Sequence, residues 1–312
     1  MNSSKVLIAL VVVILATISL SAQQSTVANS EPPLKEENPP LGIHWAKGVL
    51  PLGLATASGD MLYNGGDIMP TAVTGAIFWG TSWASSTFRG DKVTGLDLWY
   101  TGFNGSNYAK ASDEYTGLNN DQVSSSTSYI GHFIDTSSAP RHAPRTSTIN
   151  TEVCNVLTAY GVTPVTNGYY AVYVDSKRGG AGYCAWHSWG ICNGTNVQFA
   201  FSFNLDGDAG CDPRDTSGLH SQGLAALANV SGHELSEART DPRGAGWFDS
   251  AGAENGDKCA WTFGAPLVSF SNGSEWKIQG EWSNQAFDGT YTGTDTVYPN
   301  SSGQDGCLAG AK

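Results

Sequence analysis

One stretch constrains this chain more than any other: Gly232-His233-Glu234-Leu235-Ser236-Glu237-Ala238-Arg239-Thr240-Asp241-Pro242. It closes a segment, Gly218 to Arg239, whose apolar positions Leu219, Leu224, Leu227, Val230 and Leu235 recur at helical spacing and predict a half-buried helix. Pro242 ends that helix, because its ring disfavours helical geometry at the residue before it. His233, Glu237 and Asp241 stand at i, i+4 and i+8, so their side chains drift slowly around one face. Glu234 directly follows the histidine, as the general base does in the zinc-protease pattern His-Glu-x-x-His. Here a glutamate takes the place of the second histidine.

Zinc needs three or four N or O ligands and, for catalysis, one position left for water. His233 and Glu237, one turn apart, supply two. Asp241 is the first choice for a third, and Asp257 the alternative, because the turn-rich run from Asp249 to Asp257 can return a carboxylate to the helix. Glu234 is then the group that takes the proton from water. One histidine with two carboxylates makes a harder, more anionic site than the usual zinc sets and widens the choice of metal. The competing reading makes Glu234 and Glu237 a solvated helix face and His233 a hydrogen-bonded core residue. His187, among aromatics between Cys184 and Cys192, is read as structural rather than as a ligand, and His220 as structural or superficial. A glycosidase using Glu234 and Glu254 depends on a carboxylate separation that sequence does not fix.

A second metal signal precedes the helix. Asn204, Asp206, Asp208, Gly210, Asp212 and Asp215 occupy positions 1, 3, 5, 7, 9 and 12 of a calcium loop, and oxygen ligands at those offsets suit a hard cation. Position 6 is Ala209 rather than glycine, and position 12 is aspartate rather than glutamate. The bland alternative is an acidic turn before a helix.

The N-terminus reads as a secretory signal, 1–22: Lys5, then an apolar run from Val6 to Leu20, then small residues for cleavage. Residues 23–40, with Pro32, Pro33, Pro39 and Pro40, read as a flexible linker. Residues 41–312 read as one domain, with no further segment able to span a membrane. Six cysteines in an exported chain predict three disulfides among fifteen connectivities. Cys259 with Cys307 would tie down the C-terminal segment, and Cys192 with Cys211 would close the region before the helix. A net charge of −12 with only 16 Lys and Arg and no basic cluster argues against nucleic acid. The aromatics are mainly core material, with sugar stacking the alternative use.

Strands are expected at Ala72–Trp79, Thr127–Ile134, Tyr169–Val174, Tyr183–Trp189 and Val197–Phe203, and a helix at Thr148–Tyr160. Val93–Tyr100 fits either state, and short strands are expected at Leu267–Phe270 and Trp276–Gly280. Strands ahead of one long helix, then a mixed tail, give an α+β domain: a mixed sheet with a central motif-bearing, zincin-like helix, stabilised by disulfides.

Several segments together carry a family likeness: Tyr63-Asn64-Gly65-Gly66, Ile77-Phe78-Trp79-Gly80 with Trp83, Cys184-Ala185-Trp186-His187, Asn204-Leu205-Asp206-Gly207-Asp208, and Thr240-Asp241-Pro242 with Gly246-Trp247-Phe248. On these the chain resembles the phosphate-induced (EXORDIUM-like) family of secreted proteins from about Tyr63 to Trp247. Plant members, linked to growth and cell-wall responses, generally lack the His-Glu pair; this sequence looks like a bacterial branch that keeps it. The resemblance implies export and an extracellular protein or cell-wall partner. The residues themselves imply a secreted zinc-dependent hydrolase, a zincin-like peptidase. Its competitor is a non-catalytic extracellular or cell-surface module that binds glycans.

Overall fold

The sheet is built from segments in which β-branched and aromatic residues run almost without a polar break. Such runs fit strands covered on both faces. In the computed structural model, which describes residues 37–49 and 59–311, they are β1 (Leu41–Trp45), β2 (Ala72–Trp79), β3 (Thr127–Asp135), β4 (Gly168–Lys177), β5 (Tyr183–Cys192) and β6 (Thr195–Asn204). Their order is β1-β5-β6-β4-β2-β3. β3, β2, β4 and β6 run parallel, while β5 is antiparallel to both β6 and β1. The mixed sheet and the packed helices make this an α+β domain. The described residues from Glu37 onward form one compact unit.

Asn193-Gly194 turns β5 into β6, with Cys192 opposite Thr195. Both turn residues have positive φ, 50° and 82°, the pairing that a tight hairpin requires. Alternation along β5 then sends its side chains to opposite faces of the sheet. Ala185 and His187 face the long helix α3 (Gln222–Thr240). Trp186 and Gly190 face α2 (Thr146–Ala159), where Asn150 leaves no space for a Cβ on Gly190.

The segment Val93–Tyr100, open to either state by sequence, lies inside helix α1 (Lys92–Phe103). It packs against α3 so closely that a Cβ on Gly95 would lie 2.3 Å from Leu224. The motif helix starts later than expected. Gly218 has φ of 76°, and Ser221 caps the helix by accepting from the Leu224 N–H. Leu219 is therefore exposed. The helix is also not half-buried: every residue from Gly223 to Thr240 is buried, because the sheet covers one side and α1 and the C-terminal segments cover the rest. Its alanines and glycines permit that close approach.

Two boundaries move. The expected signal and residues 23–36 of the expected linker lie outside the described residues. Glu37 and Asn38 are already docked: Glu37 accepts from Thr146 and Ser147, and Asn38 donates to the Trp189 carbonyl. The strand β1 that follows has no strong sequence signal and was not among the expected elements. The two short C-terminal strands are present as a pair, Val268–Ser269 with Glu275–Trp276.

All six cysteines are paired. Cys259–Cys307 forms as expected. Cys192 joins Cys154 of α2, not Cys211, which instead bridges Cys184. Strand spacing explains the exchange: Cys184 and Cys192 stand at opposite ends of β5, so each takes the neighbour at its own end. Trp83, Trp99, Trp186, Trp276 and Trp282 are fully buried, which uses half of the tryptophans for packing rather than for sugar stacking. No helix among the described residues is long and apolar enough to cross a membrane.

Candidate metal centre

The i, i+4 spacing on α3 does what it predicts. His233 Nε2 lies 3.1 Å from Glu237 Oε2. The third partner is the return segment, not the helix end. After α3 the chain turns, and Glu254 caps the one-turn helix α4 (Asn255–Lys258) in a reciprocal capping box with Asp257. That box delivers two carboxylates to the motif. Asp257 Oδ1 is 3.7 Å from His233 Nε2, and the Asp257 N–H donates to Glu237 Oε1 at 2.8 Å. Gly256 makes this approach feasible, since a Cβ there would sit 2.8 Å from His233 Nδ1. Cys259, tied to Cys307, anchors the segment directly behind it.

Asp241, the first-choice ligand, is elsewhere. Its Oδ1 accepts from the Ala245 and Gly246 N–H groups, both at 2.8 Å. It holds the turn that follows the helix. The i+8 position has rotated away from His233, and Pro242 bends the chain at that point.

His187, read as structural, enters the site. Its Nε2 is 3.2 Å from Glu254 Oε2 and 4.0 Å from Glu237 Oε2. His187, Glu237 and Glu254 form one set with metal-ligand spacing, and His233, Glu237 and Asp257 form another. His44 of β1 is the neighbour that no sequence signal indicated. Its ring lies 4.3 Å from that of His233, and its Nε2 accepts from Asn229 at 3.2 Å. Gln279 Nε2 lies 3.1 Å from His233 Nδ1.

The cluster is dry. His44, His187, His233 and Glu237 are 0% exposed. β1 closes it from one side: a Cβ on Gly42, whose φ is 43°, would lie 2.0 Å from Glu237 Oε2 and 2.7 Å from His187 Nε2. Burial pushes every carboxyl up. Glu237 is held up to about 7. Glu234, Glu254 and Asp257 are raised well above the usual range by desolvation and then by the charges of their neighbours. Burial also lowers the histidines, His233 to about 3, with His187 and His44 moved the same way. Among the described residues no Lys or Arg forms an ion pair with any of the four carboxylates.

Glu234 is the most expensive residue of the group. It is 1% exposed, and neither of its oxygens has a hydrogen-bond partner. It lines a cavity of about 10 Å³ with Tyr169, Ala185, Ser202 and Ser231, close to the smallest space that holds one water. His233 Nε2 and Glu237 Oε2 likewise lack hydrogen bonds.

The calcium-spaced loop does not converge. Asp206 pairs with Lys92. Asp208 takes a bidentate pair from Arg178, at 2.8 and 3.0 Å, which holds its carboxyl below the usual range. Asp212 accepts from the Arg214 N–H, and Asp215 from the Ser217 N–H and His220. The Asn204 side chain accepts from the Asp206 N–H. These are the bonds of an acidic turn that closes on itself and on nearby cations. His220 stacks on Trp276 with ring centroids 4.3 Å apart, the structural role its position predicts.

No family model matches this chain, and neither a curated protein nor a solved structure matches it. The likeness to the EXORDIUM-like family therefore rests on the quoted residues alone.

Proposed function

We propose that this protein is a metal-dependent hydrolase, of zincin-like peptidase type, acting outside the cell. His233, Glu237 and Asp257 hold the ion, and Glu234 is the general base. One observation carries the reading: His233 Nε2 and Glu237 Oε2, buried and in a set with metal-ligand spacing, have no hydrogen-bond partner, nor do the two Glu234 oxygens, and no Lys or Arg among the described residues pairs with them. Leaving a buried charge unpaired costs several kcal/mol, and a divalent ion removes that cost. His and carboxylate oxygen suit zinc, with manganese or iron as harder alternatives.

When bound, the ion acts as a Lewis acid that lowers the pKa of water toward neutrality. Glu234 meets the needs of a base in such a site. Desolvation, and then the charges of Glu237, Asp257 and Glu254, raise its proton affinity, the direction that suits a group taking a proton from water and returning it to a leaving group. An ion on His233 Nε2 requires the proton on Nδ1. In the structure Gln279 Nε2 faces Nδ1 and donates to the Gly256 carbonyl at 2.7 Å while its Oε1 accepts from the Trp261 N–H, so that amide would have to leave both partners for Oε1 to orient the histidine as a ligand. Hydrolysis also requires access. With Gly42 over Glu237 and His187 the centre is closed, and β1, an edge strand, must move before a substrate reaches it.

That burial favours a second reading, a non-catalytic extracellular module in which the ion staples α3 to α4 and β5. Glu234→Gln separates the two. The first reading expects unchanged metal content and loss of at least a hundredfold in peptide or ester hydrolysis, in line with removal of a general base. Metal-loaded protein that hydrolyses nothing across peptide and ester libraries, or a Glu234→Gln variant that is fully active, refutes it.

A further inference from the structure

The second set of ligands changes the stoichiometry. We propose that the centre holds two divalent cations, bridged by Glu237: one against His233 and Asp257, the other against His187 and Glu254. This deepens the metal-dependent reading and rests on it.

The geometry separates the sites. Atoms bound to one ion at about 2.0–2.2 Å cannot be more than about 4.4 Å apart. Ligand atoms within each set all lie within 4.8 Å of one another, whereas the five residues do not merge into a single set at that spacing. One ion therefore cannot collect them all. Glu237 belongs to both, and its Oε2 lies between the imidazoles, 3.1 Å from His233 Nε2 and 4.0 Å from His187 Nε2. Because Oε1 is engaged by the Asp257 N–H, the bridge falls to Oε2, which is fully buried and has no hydrogen-bond partner. Carboxylate-bridged pairs of ions sit about 3.5–4 Å apart, a separation that matches two sets with one common ligand.

Charge points the same way. Glu234, Glu237 and Glu254 are buried and Asp257 is partly so, and among the described residues no Lys or Arg is paired to any of them. Gly42 supplies the space. Any side chain there would project between Glu237 Oε2 and His187 Nε2, so glycine keeps the second position free of carbon.

The test is metal counting on the full chain, stripped with chelator and reloaded with Zn²⁺, by elemental analysis and calorimetric titration. Far-UV circular dichroism and thiol titration check that the fold and the three disulfides persist. Two ions per chain are expected, falling to one in His187→Ala and Glu254→Gln, and to one in Asp257→Asn. Gly42→Ala, whose Cβ would fall on Glu237 Oε2 and beside His187 Nε2, should also lower the count. Reloading with Mn²⁺ adds a readout independent of any variant's folding: an exchange-coupled pair broadens into a multiline paramagnetic resonance spectrum, whereas isolated ions give six lines. Saturation of the native protein at one ion or none, or an uncoupled six-line spectrum at full loading, overturns the proposal. Its failure is distinct from that of the hydrolase reading. One ion with metal-dependent hydrolysis removes only the pair, and two ions without hydrolysis remove only the enzyme.

Discussion

Helix α3 carries two buried charged clusters, less than two turns apart, and they are built on opposite principles. Around Arg239 the chain supplies both signs. Glu281, 0% exposed, accepts from Ser112 at 2.7 Å and from Ser236. Arg239 donates to the Ala109 and Ser124 carbonyls at 3.0 and 2.9 Å and lies over the Phe103 ring. Glu281 and Asp113 are the opposite charges that act on it. Around His233 and Glu237 the chain supplies carboxyls, imidazoles and a few neutral N–H donors, from Asp257, Asn229 and Gln279. The first cluster has its cation within the chain, although Arg239 Nε and Nη1 and Asp113 Oδ1 lack hydrogen-bond partners. The second has no Lys or Arg paired to it among the described residues, and its groups stand at a spacing that could hold a metal ion.

Breaking the Arg239 cluster has the largest expected effect. Arg239→Met leaves Glu281 and Asp113 without their buried cation and should cost about 3–5 kcal/mol of stability. Chemical denaturation should show the same loss with and without chelator. If chelator alters it, the two clusters are not independent.

The His233 cluster should respond to metal instead. At free ion a hundredfold above its dissociation constant, loading should add about 2.7 kcal/mol, and excess chelator should remove that gain. Thermal melts that ignore chelator would place both clusters in the same class.

Glu237→Gln sharpens the contrast further, because its sign should reverse. In stripped protein at pH 8 the substitution relieves a carboxylate whose folded pKa, about 7, stands above its ordinary 4.5, and stability should rise by about 1–3 kcal/mol. In loaded protein it should instead lose most of the metal gain. The pH dependence has the same logic. Between about 4.5 and 7 the folded state binds more protons at Glu237 and at Glu281, also held up to about 7, so stability falls as pH rises. His233, lowered from 6.5 to about 3, has the opposite slope below pH 6.5, and the fall is therefore clearest above that value. Metal should abolish the contribution of Glu237 and leave that of Glu281. A stripped protein that gains stability from pH 6.5 to 8 would refute the assignment.

The legible parts were those with a local cause. The aromatic and β-branched runs of β2, β4 and β6 read correctly, as did the helix, its proline stop and the i, i+4 meeting of His233 with Glu237. The Cys259–Cys307 bridge was also legible, because it ties adjacent ends of one C-terminal unit. Misreadings arose where partners come from a distance. Leu41–Trp45 carries a glycine and a polar histidine and has no strand signature of its own; it becomes a strand because the β5 edge accepts it. Asp241 satisfied the spacing rule but is used up by the Ala245 and Gly246 amides. His187, read as structural among its aromatics, is buried and meets Glu254 at 3.2 Å, and the alternation of β5 that turns it toward α3 also puts it at ligand spacing, which its surroundings in sequence did not suggest. The calcium spacing was genuine as a pattern, yet Lys92 and Arg178, far away in sequence, take its carboxylates.

Sequence alone determined the helix, the charge types on it and the oxidised cysteines, since short-range periodicity and residue chemistry act within a few residues. Tertiary structure decided which carboxylates face the imidazoles, which cysteines pair, and which buried atoms are left without a partner. Those outcomes depend on distances between segments far apart in the chain, and in a dry interior a few ångströms separate a satisfied charge from one that needs an ion.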